Sequence, residues 1–524
     1  MAELAVEPEL DTGTAAMIRL SLLGLFIVGM ALYAIRDWYI ALCGLIAVMA
    51  VIEHPDMPKT LFGVQGLNPW NLLLLVVVAS WLASRRRERL VWDMPRWVNL
   101  LLLAYFGVVI VGFVRMIGDR GGLEESTSYL VSEYFINTVK WVIPGLLLYD
   151  GSRSRRRFVL GIAALSVIYL VLAVQVIKWM PVGSILSGDE LAARSTKIIS
   201  KEIGYHRVNL SVMLAGASWA VLAARGLTGT FTARALVTVA AGAVVYAQAL
   251  TGGRAGYGTW AAVGVLLSLL RWRRYLLAIP IVVGTIVTFV PAARDRMLQG
   301  FTQETHDTSA YLESQQSLRD PDAPDDYTIT AGRTLIWPYV VEKIGQAPFF
   351  GYGREAMQRT GLAAFLLEEL GEVFPHPHNA YLQWLLDNGI VGFALTMPFY
   401  ITVLVISASL FRDSRSQIFV AAGGAALALV LALLIGSFGS QTFYPREGSV
   451  GMWAAIGLML RAATERRRAV RLARSLHSAV PAGPAAAASS PRRAVSLDKL
   501  LWMDATSRER NDVADHSGRL LARR

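Results

Sequence analysis

The stretch Phe374-Pro-His-Pro-His-Asn-Ala-Tyr-Leu-Gln-Trp-Leu-Leu-Asp-Asn-Gly389 gathers the densest set of reactive side chains in the 524-residue chain. Two of the seven histidines, His376 and His378, stand just before a segment whose apolar spacing predicts a helix. Asn379 is the expected N-cap, which sets His378 beside the positive end of the helix dipole. That field favours neutral imidazole, the form able to accept a proton near pH 7. A capping or surface histidine is the competing reading. Two alternating histidines with no third ligand nearby make a poor zinc site, so no metal is expected. A helix from Ala380 to Leu410 would run about 46 Å at 1.5 Å per residue. This exceeds a bilayer core, so a break is expected at Gly389, holding His378 at membrane-surface height.

Two arginines stand apart from the other basic residues. Arg207, in Tyr-His-Arg-Val-Asn209, opens one apolar run, and Arg254, in Thr-Gly-Gly-Arg-Ala-Gly256, opens another. They either snorkel to lipid phosphates or converge on an anionic head group. A guanidinium never loses its charge and its forked donors match phosphate oxygens, which suits a diphosphate. Gly252, Gly253 and Gly256 would let backbone approach such a ligand closely.

These residues must be positioned by membrane spans. The chain is 54% apolar and 17% charged, with mean hydropathy +0.45, which excludes an ordinary soluble protein. We read an all-α polytopic membrane protein with about 12–13 transmembrane helices. The runs are Met17–Ala34, Trp38–Ile52, Trp70–Ser84, Trp97–Val114, Phe135–Tyr149, Phe158–Met180, Val208–Ala224, Ala233–Leu250, Ala255–Leu270, Tyr275–Val290, Ile390–Leu410, Ile418–Ile435 and Val450–Leu460. Basic clusters at Arg85–Arg87, Arg153–Arg157, Arg225 with Arg234, Arg271–Arg274, Arg412 with Arg415, and Arg466–Arg468 fall on one side of the alternating spans. The positive-inside rule makes that side cytoplasmic and leaves residues 291–389 outside. An odd span remains at the start: either the N-terminus is external, or Met17–Ile52 does not form two crossings.

Four regions follow: a transmembrane bundle over 1–291, an outer loop with amphipathic helices over 292–389, further spans over 390–465, and a basic, disordered tail over 466–524. From Arg461 to Arg524 there are 14 basic and 6 acidic residues, +8 of the net +11, so the charge belongs to a membrane-flanking tail and not to a nucleic-acid site. The segment 292–378 has 7 basic and 13 acidic residues. Its centre, Asp320–Asp326, reads as a solvated turn. The first 16 residues are acidic without a basic leader, so no cleavable signal peptide is expected. Cys43 is the single cysteine, which excludes an internal disulfide. The spans carry almost no ionisable residue at mid-depth, which disfavours a transporter.

Gly332-Arg333-Thr-Leu-Ile-Trp337, Ala347-Pro-Phe-Phe-Gly-Tyr-Gly353, His378-Asn-Ala-Tyr-Leu382 and Asp387-Asn-Gly389, in this order, resemble the signature of the bacterial O-antigen ligase/polymerase family. Thr251-Gly-Gly-Arg254 resembles its arginine-bearing motif. The resemblance covers roughly residues 205–460. It implies a GT-C-like fold and glycosyl transfer at the periplasmic face of the inner membrane. The donor it implies is a glycan on undecaprenyl diphosphate, and the acceptor is a lipid or saccharide hydroxyl. It further implies metal-independent, inverting chemistry without a cofactor. By the same resemblance Arg254, Arg207 and Arg333 would hold the diphosphate and His378 would activate the acceptor. Asn209, Asn379 and Tyr381 would contact substrate. A ligase is favoured, with a repeat-unit polymerase and a lipid-linked oligosaccharide flippase as alternatives.

Overall fold

The computed structural model describes residues 10–61, 64–180, 195, 197–289, 294, 333–371, 374–439 and 441–478. The expected turn over Asp320–Asp326 and residues 479–524 of the tail lie outside these. The protein is an all-α polytopic membrane protein. Its described strands are one small antiparallel hairpin, Thr60–Leu61 with Val64–Gln65. Seven described helices are long and apolar enough to cross a membrane: Met17–Ala34, Arg96–Gly118, Arg155–Trp179, Arg207–Leu227, Phe231–Leu250, Ala380–Arg412 and Gln417–Gly436. Other expected spans are shorter helices, among them Trp38–Val48 with 11 residues and Arg254–Leu270 with 17.

Phe135–Tyr149, read from sequence as one span, is instead broken. A π-helical turn over Val131–Ile136 runs into Asn137–Lys140, and a new helix starts at Ile143 and ends at Gly151. Pro144 lies in the first turn of the new helix, where its missing N–H costs nothing; inside a continuous helix it would remove a hydrogen bond. The last helix, Val450–Ser478, continues through Arg466–Arg468.

The bundle has two chemically distinct faces. On one, basic helix ends meet buried or half-buried carboxylates. Asp150 receives Arg85 at 3.0 Å and Arg153 at 2.7 Å, Glu88 receives Arg157 at 2.6 Å, and Asp93 receives Arg461 through two bonds of 2.8 and 2.7 Å. Burial opposes the Asp93 charge, but the Arg461 bonds, with Arg153 and Arg468, hold its carboxyl down at about 2. On the other face, Arg19 pairs with Asp56 at 3.0 Å, and Tyr205 donates to the Met49 carbonyl at 3.3 Å. The helix Leu10–Ala34 therefore enters from this second face. Trp38–Val48 returns to it from the Glu88 end, where Trp38 Nε1 donates to Glu88 Oε1 at 2.8 Å. Leu10–Ala34 and Trp38–Val48 thus run between the same two faces in opposite directions, and of the two only the stretch Met17–Ala34 is long and apolar enough to cross a membrane by itself.

The 33-residue helix Ala380–Arg412 is broken at Gly389, whose φ of 65° and ψ of −172° belong to a region open essentially to glycine. The backbone groups at the break are met by the strap Pro348–Gly353. Ile390 N donates to Pro348 O at 2.8 Å and Val391 N to Phe349 O at 3.0 Å, while Tyr352 N and Gly353 N donate to Leu386 O and Asp387 O at 2.9 and 2.7 Å. Arg115, at the end of Arg96–Gly118, clamps the strap by donating to the carbonyls of Phe350 and Gly351. The Ala347–Gly353 motif thus satisfies a helix break. The outer segment also contains helix Arg333–Gln346 and two short helices, Ala356–Arg359 and Leu362–Leu370.

A Cβ at position 389 would lie 2.3 Å from the Phe349 carbonyl group. Gly389→Ala is expected to cost about 1–3 kcal/mol from backbone conformation alone, with the steric term added. A thermal midpoint lower than wild type in the same detergent checks it, and an unchanged midpoint contradicts the strap's role.

Candidate active site

Arg207 and Arg254 begin two helices, Arg207–Ala224 and Arg254–Leu270, that touch at their starts. Contact is this close because position 256 is glycine: an added Cβ would stand 1.9 Å from Ser211 Oγ. Ser211 Oγ donates to Gly253 O at 3.2 Å and accepts from Gln248 Nε2 at 3.3 Å, locking the Thr251–Gly253 turn onto the first helix. The two guanidinium charges act on one another, and Arg207 Nη1 is buried with no hydrogen-bond partner among the described residues. Two helix N-termini add positive potential at the same place. Such an arrangement is suited to an anion.

The histidine turn is held from three directions. Trp337, one helical turn after Arg333, donates from Nε1 to Pro377 O at 3.0 Å. Asn379 caps the following helix, its Oδ1 accepting from the backbone N–H of Tyr381 at 3.0 Å and of Leu382 at 3.3 Å. Ala380 N donates to Ser437 O at 2.8 Å. His378 itself has φ of 50°, left-handed backbone that costs an L-residue about 1–2 kcal/mol. The His376 and His378 rings lie 4.3 Å apart. Arg333 is the first residue of its helix, and its side chain lies outside what is described. The Tyr381 hydroxyl is used on Leu434 O at 2.8 Å, and its ring packs on Phe438 and Phe443.

Residues 441–447 lie between neighbours of these two groups: the described linings of the two cavities they border include Asn209 and His376, and not Arg207, Arg254 or His378. A cleft of about 300 Å³ is lined by His376, Tyr134, Arg354, Tyr444, Arg446 and Glu447, among others. A smaller cavity of about 50 Å³ reaches Asn209. Gln441, Thr442, Tyr444, Arg446 and Glu447 border both. Gln441 Nε2 donates to Asn209 Oδ1 at 3.3 Å, and Tyr105 donates to Phe443 O at 2.5 Å, fixing this wall to the bundle.

Sequence reasoning passed over the polar network behind the wall. Asp387, 1% exposed, accepts from the Tyr444 hydroxyl at 3.0 Å and from Ala356 N at 3.2 Å. Asn388 Nδ2 donates to the same hydroxyl at 3.1 Å. The Arg354 guanidinium sits 4.0 Å above the Tyr444 ring and donates to Thr138 Oγ1 at 2.8 Å. Glu355 is held above the ordinary carboxylate range, chiefly by burial. Next to the cleft, burial and then Glu447 raise the Glu53 carboxyl from 4.5 to about 7. The available signal was Asp387 in the Asp-Asn-Gly motif; its partners are distant in sequence.

Residues 236–397 match the O-antigen ligase family model. The match covers Arg254, Arg333, His378, Asn379 and Tyr381 and the Gly389 break, and it leaves Arg207 and Asn209 outside. It supports the O-antigen ligase/polymerase family, whose members are glycan-transferring enzymes. No curated protein matches the chain.

Tyr444→Phe removes a donor from buried Asp387 and an acceptor from Asn388, with an expected loss of about 1–3 kcal/mol in thermal unfolding. A wild-type midpoint would dismiss the network as a support. Glu53 gives a pH signature. Its carboxyl keeps a proton in the fold that the unfolded chain has lost, so its share of stability is full below pH 4.5 and declines as pH rises to about 7. Glu53→Gln is expected to flatten the midpoint over that window, and an unaltered slope would assign it to other groups.

Proposed function

We propose that the protein transfers a glycan from undecaprenyl diphosphate to an acceptor hydroxyl at the outer face of the inner membrane, as an O-antigen ligase. One observation carries the reading: Arg207 and Arg254 start two helices that meet closely at Gly256, and residues 441–447 border both a cavity at Asn209, two residues into the first of these helices, and a cleft at His376, next to the strained His378 turn. The face opposite the carboxylate-paired arginines is the periplasmic one under the positive-inside rule.

In this mechanism Arg207 and Arg254 hold the diphosphate, with Arg333 added from the outer segment. His378 takes the proton of the acceptor hydroxyl as that oxygen bonds to the anomeric carbon. The bond from that carbon to the phosphate oxygen breaks with inversion. The diphosphate leaves with its electron pair, its growing charge met by fixed guanidinium groups, and no cofactor or metal is required by this scheme. A positioned base contributes about 10²–10⁴ in rate. His376, which lines the larger cleft, is assigned to the acceptor side, with Asn209, Asn379 and Tyr381 supporting the wall and turn.

Purified protein in liposomes, given lipid-linked glycan donor, tests the reading. His378→Ala and Arg254→Ala are expected to abolish transfer while the protein stays inserted, and His376→Ala to be milder. Wild-type transfer by either of the first two removes that residue from the scheme. Repeat units joined to one another instead of to lipid A–core would make it a polymerase, and donor movement without a new glycosidic bond would make it a flippase.

A further inference from the structure

On the face opposite the proposed active site lies a separate cavity of about 320 Å³. Its charged lining is four arginines, Arg225, Arg234, Arg271 and Arg274, beside Trp272 and Gln417, and no carboxylate among the described residues lines it. Most arginine clusters around it are neutralised. Arg85, Arg153, Arg157, Arg461 and Arg468 all pair with Asp37, Glu88, Asp93, Asp150 or Glu465. Asp413, the acid next to Arg412, is taken by Arg415 at 2.5 Å and Arg466 at 3.5 Å. The four cavity arginines have no carboxylate partner among the described residues. Two are nevertheless held in place by neutral groups: Arg234 Nε donates to Thr228 O at 3.2 Å, and Arg271 Nη1 to Phe411 O and Arg412 O at 3.1 and 3.3 Å.

Four like charges around one cavity repel, and the repulsion is not offset by the protein. An anion supplying several oxygens would offset it, with the forked guanidinium donors matching phosphate geometry. The cavity sits where the helices Arg207–Ala224, Phe231–Leu250, Arg254–Leu270 and Gln417–Gly436 end or begin, and it is flanked by Trp272, an interfacial residue type. We propose that this cavity is a binding site for a phosphate-type anion, seated among Arg225, Arg234, Arg271 and Arg274. Its sources are the phosphodiester headgroup of an anionic lipid or free phosphate. The occupant ties together the far ends of the two helices that begin at Arg207 and Arg254. The inference does not depend on the proposed reaction.

The test is the thermal midpoint of full-length protein in phosphatidylcholine nanodiscs, with and without phosphatidylglycerol, and in phosphatidylcholine with inorganic phosphate. Phosphatidylglycerol is expected to raise the wild-type midpoint. A variant with Arg225→Gln, Arg234→Gln, Arg271→Gln and Arg274→Gln is expected to lose at least about half of the rise. Arg234→Gln with Arg274→Gln, which spares the Arg271 backbone contacts, is the second variant if the first does not fold. The exposed set Arg86→Gln, Arg87→Gln and Arg89→Gln is expected to keep the rise. A cavity-dependent rise with inorganic phosphate alone supports the site with a free anion, and one restricted to phosphatidylglycerol supports it with a lipid headgroup. Equal rises in wild type and both cavity variants, or an equal loss in the exposed set, overturn the proposal.

Discussion

A helix longer than the bilayer is thick has to bend, tilt or protrude, and in this protein the strain is taken up at one residue. The break at Gly389 frees backbone N–H and C=O groups among residues buried in the protein, where an unpaired polar group is costly. The Pro348–Gly353 strap serves them instead, and because it lies against the break it fixes the outer segment to the bundle. Arg115 holds the strap, Asp387 and Asn388 lie on the short arm of the broken helix, and Asn379 caps that arm. The histidine turn therefore inherits its height and orientation from a hydrogen-bonding requirement of the backbone.

Charge is organised around the same two-faced design. Arginine at a membrane surface is tolerable when a carboxylate, a carbonyl or an anion meets it, and the bundle supplies the first two itself. Asp93 and Asp150 collect arginines from separate helices on one face and so double as interhelical ties. Arg115 and Arg271 spend donors on backbone carbonyls, and Arg359 divides its donors between carbonyls and the Asp119 carboxylate. At Arg207, and in the cavity around Arg271, positive charge collects beside a helix start or other arginines. Removing a carboxylate from a cluster of arginines is costly unless an external anion takes its place, which is why these two places stand out from the rest of the molecule.

Much of this architecture was legible in the order of residues. Apolar runs follow from the solvent that each segment must face, so the all-α polytopic class can be read without a fold. The N-cap at Asn379 and the break at Gly389 are local, set by side-chain oxygens and by backbone conformations that few residue types adopt. The misreading at Phe135–Tyr149 has a local cause too: apolar composition there hid Pro144 and a π-helical turn. The Ala347–Gly353 motif was visible as a pattern but not as a hydrogen-bonding partner for a break some 40 residues later.

The wall between the two halves of the candidate site belongs to a different category. Gln441 on Asn209, Tyr444 between Asp387 and Arg354, and Tyr105 on the Phe443 carbonyl join residues tens to hundreds of positions apart. No periodicity or cap marks such pairs, because each depends on how crossing helices stack and which loop fills the gap between them. Residue order alone marked Arg207, Arg254 and His378 as candidates at the starts of apolar helices. That Asn209 and His376 line cavities sharing residues 441–447, and that a second set of arginines surrounds a separate cavity, followed from helix packing.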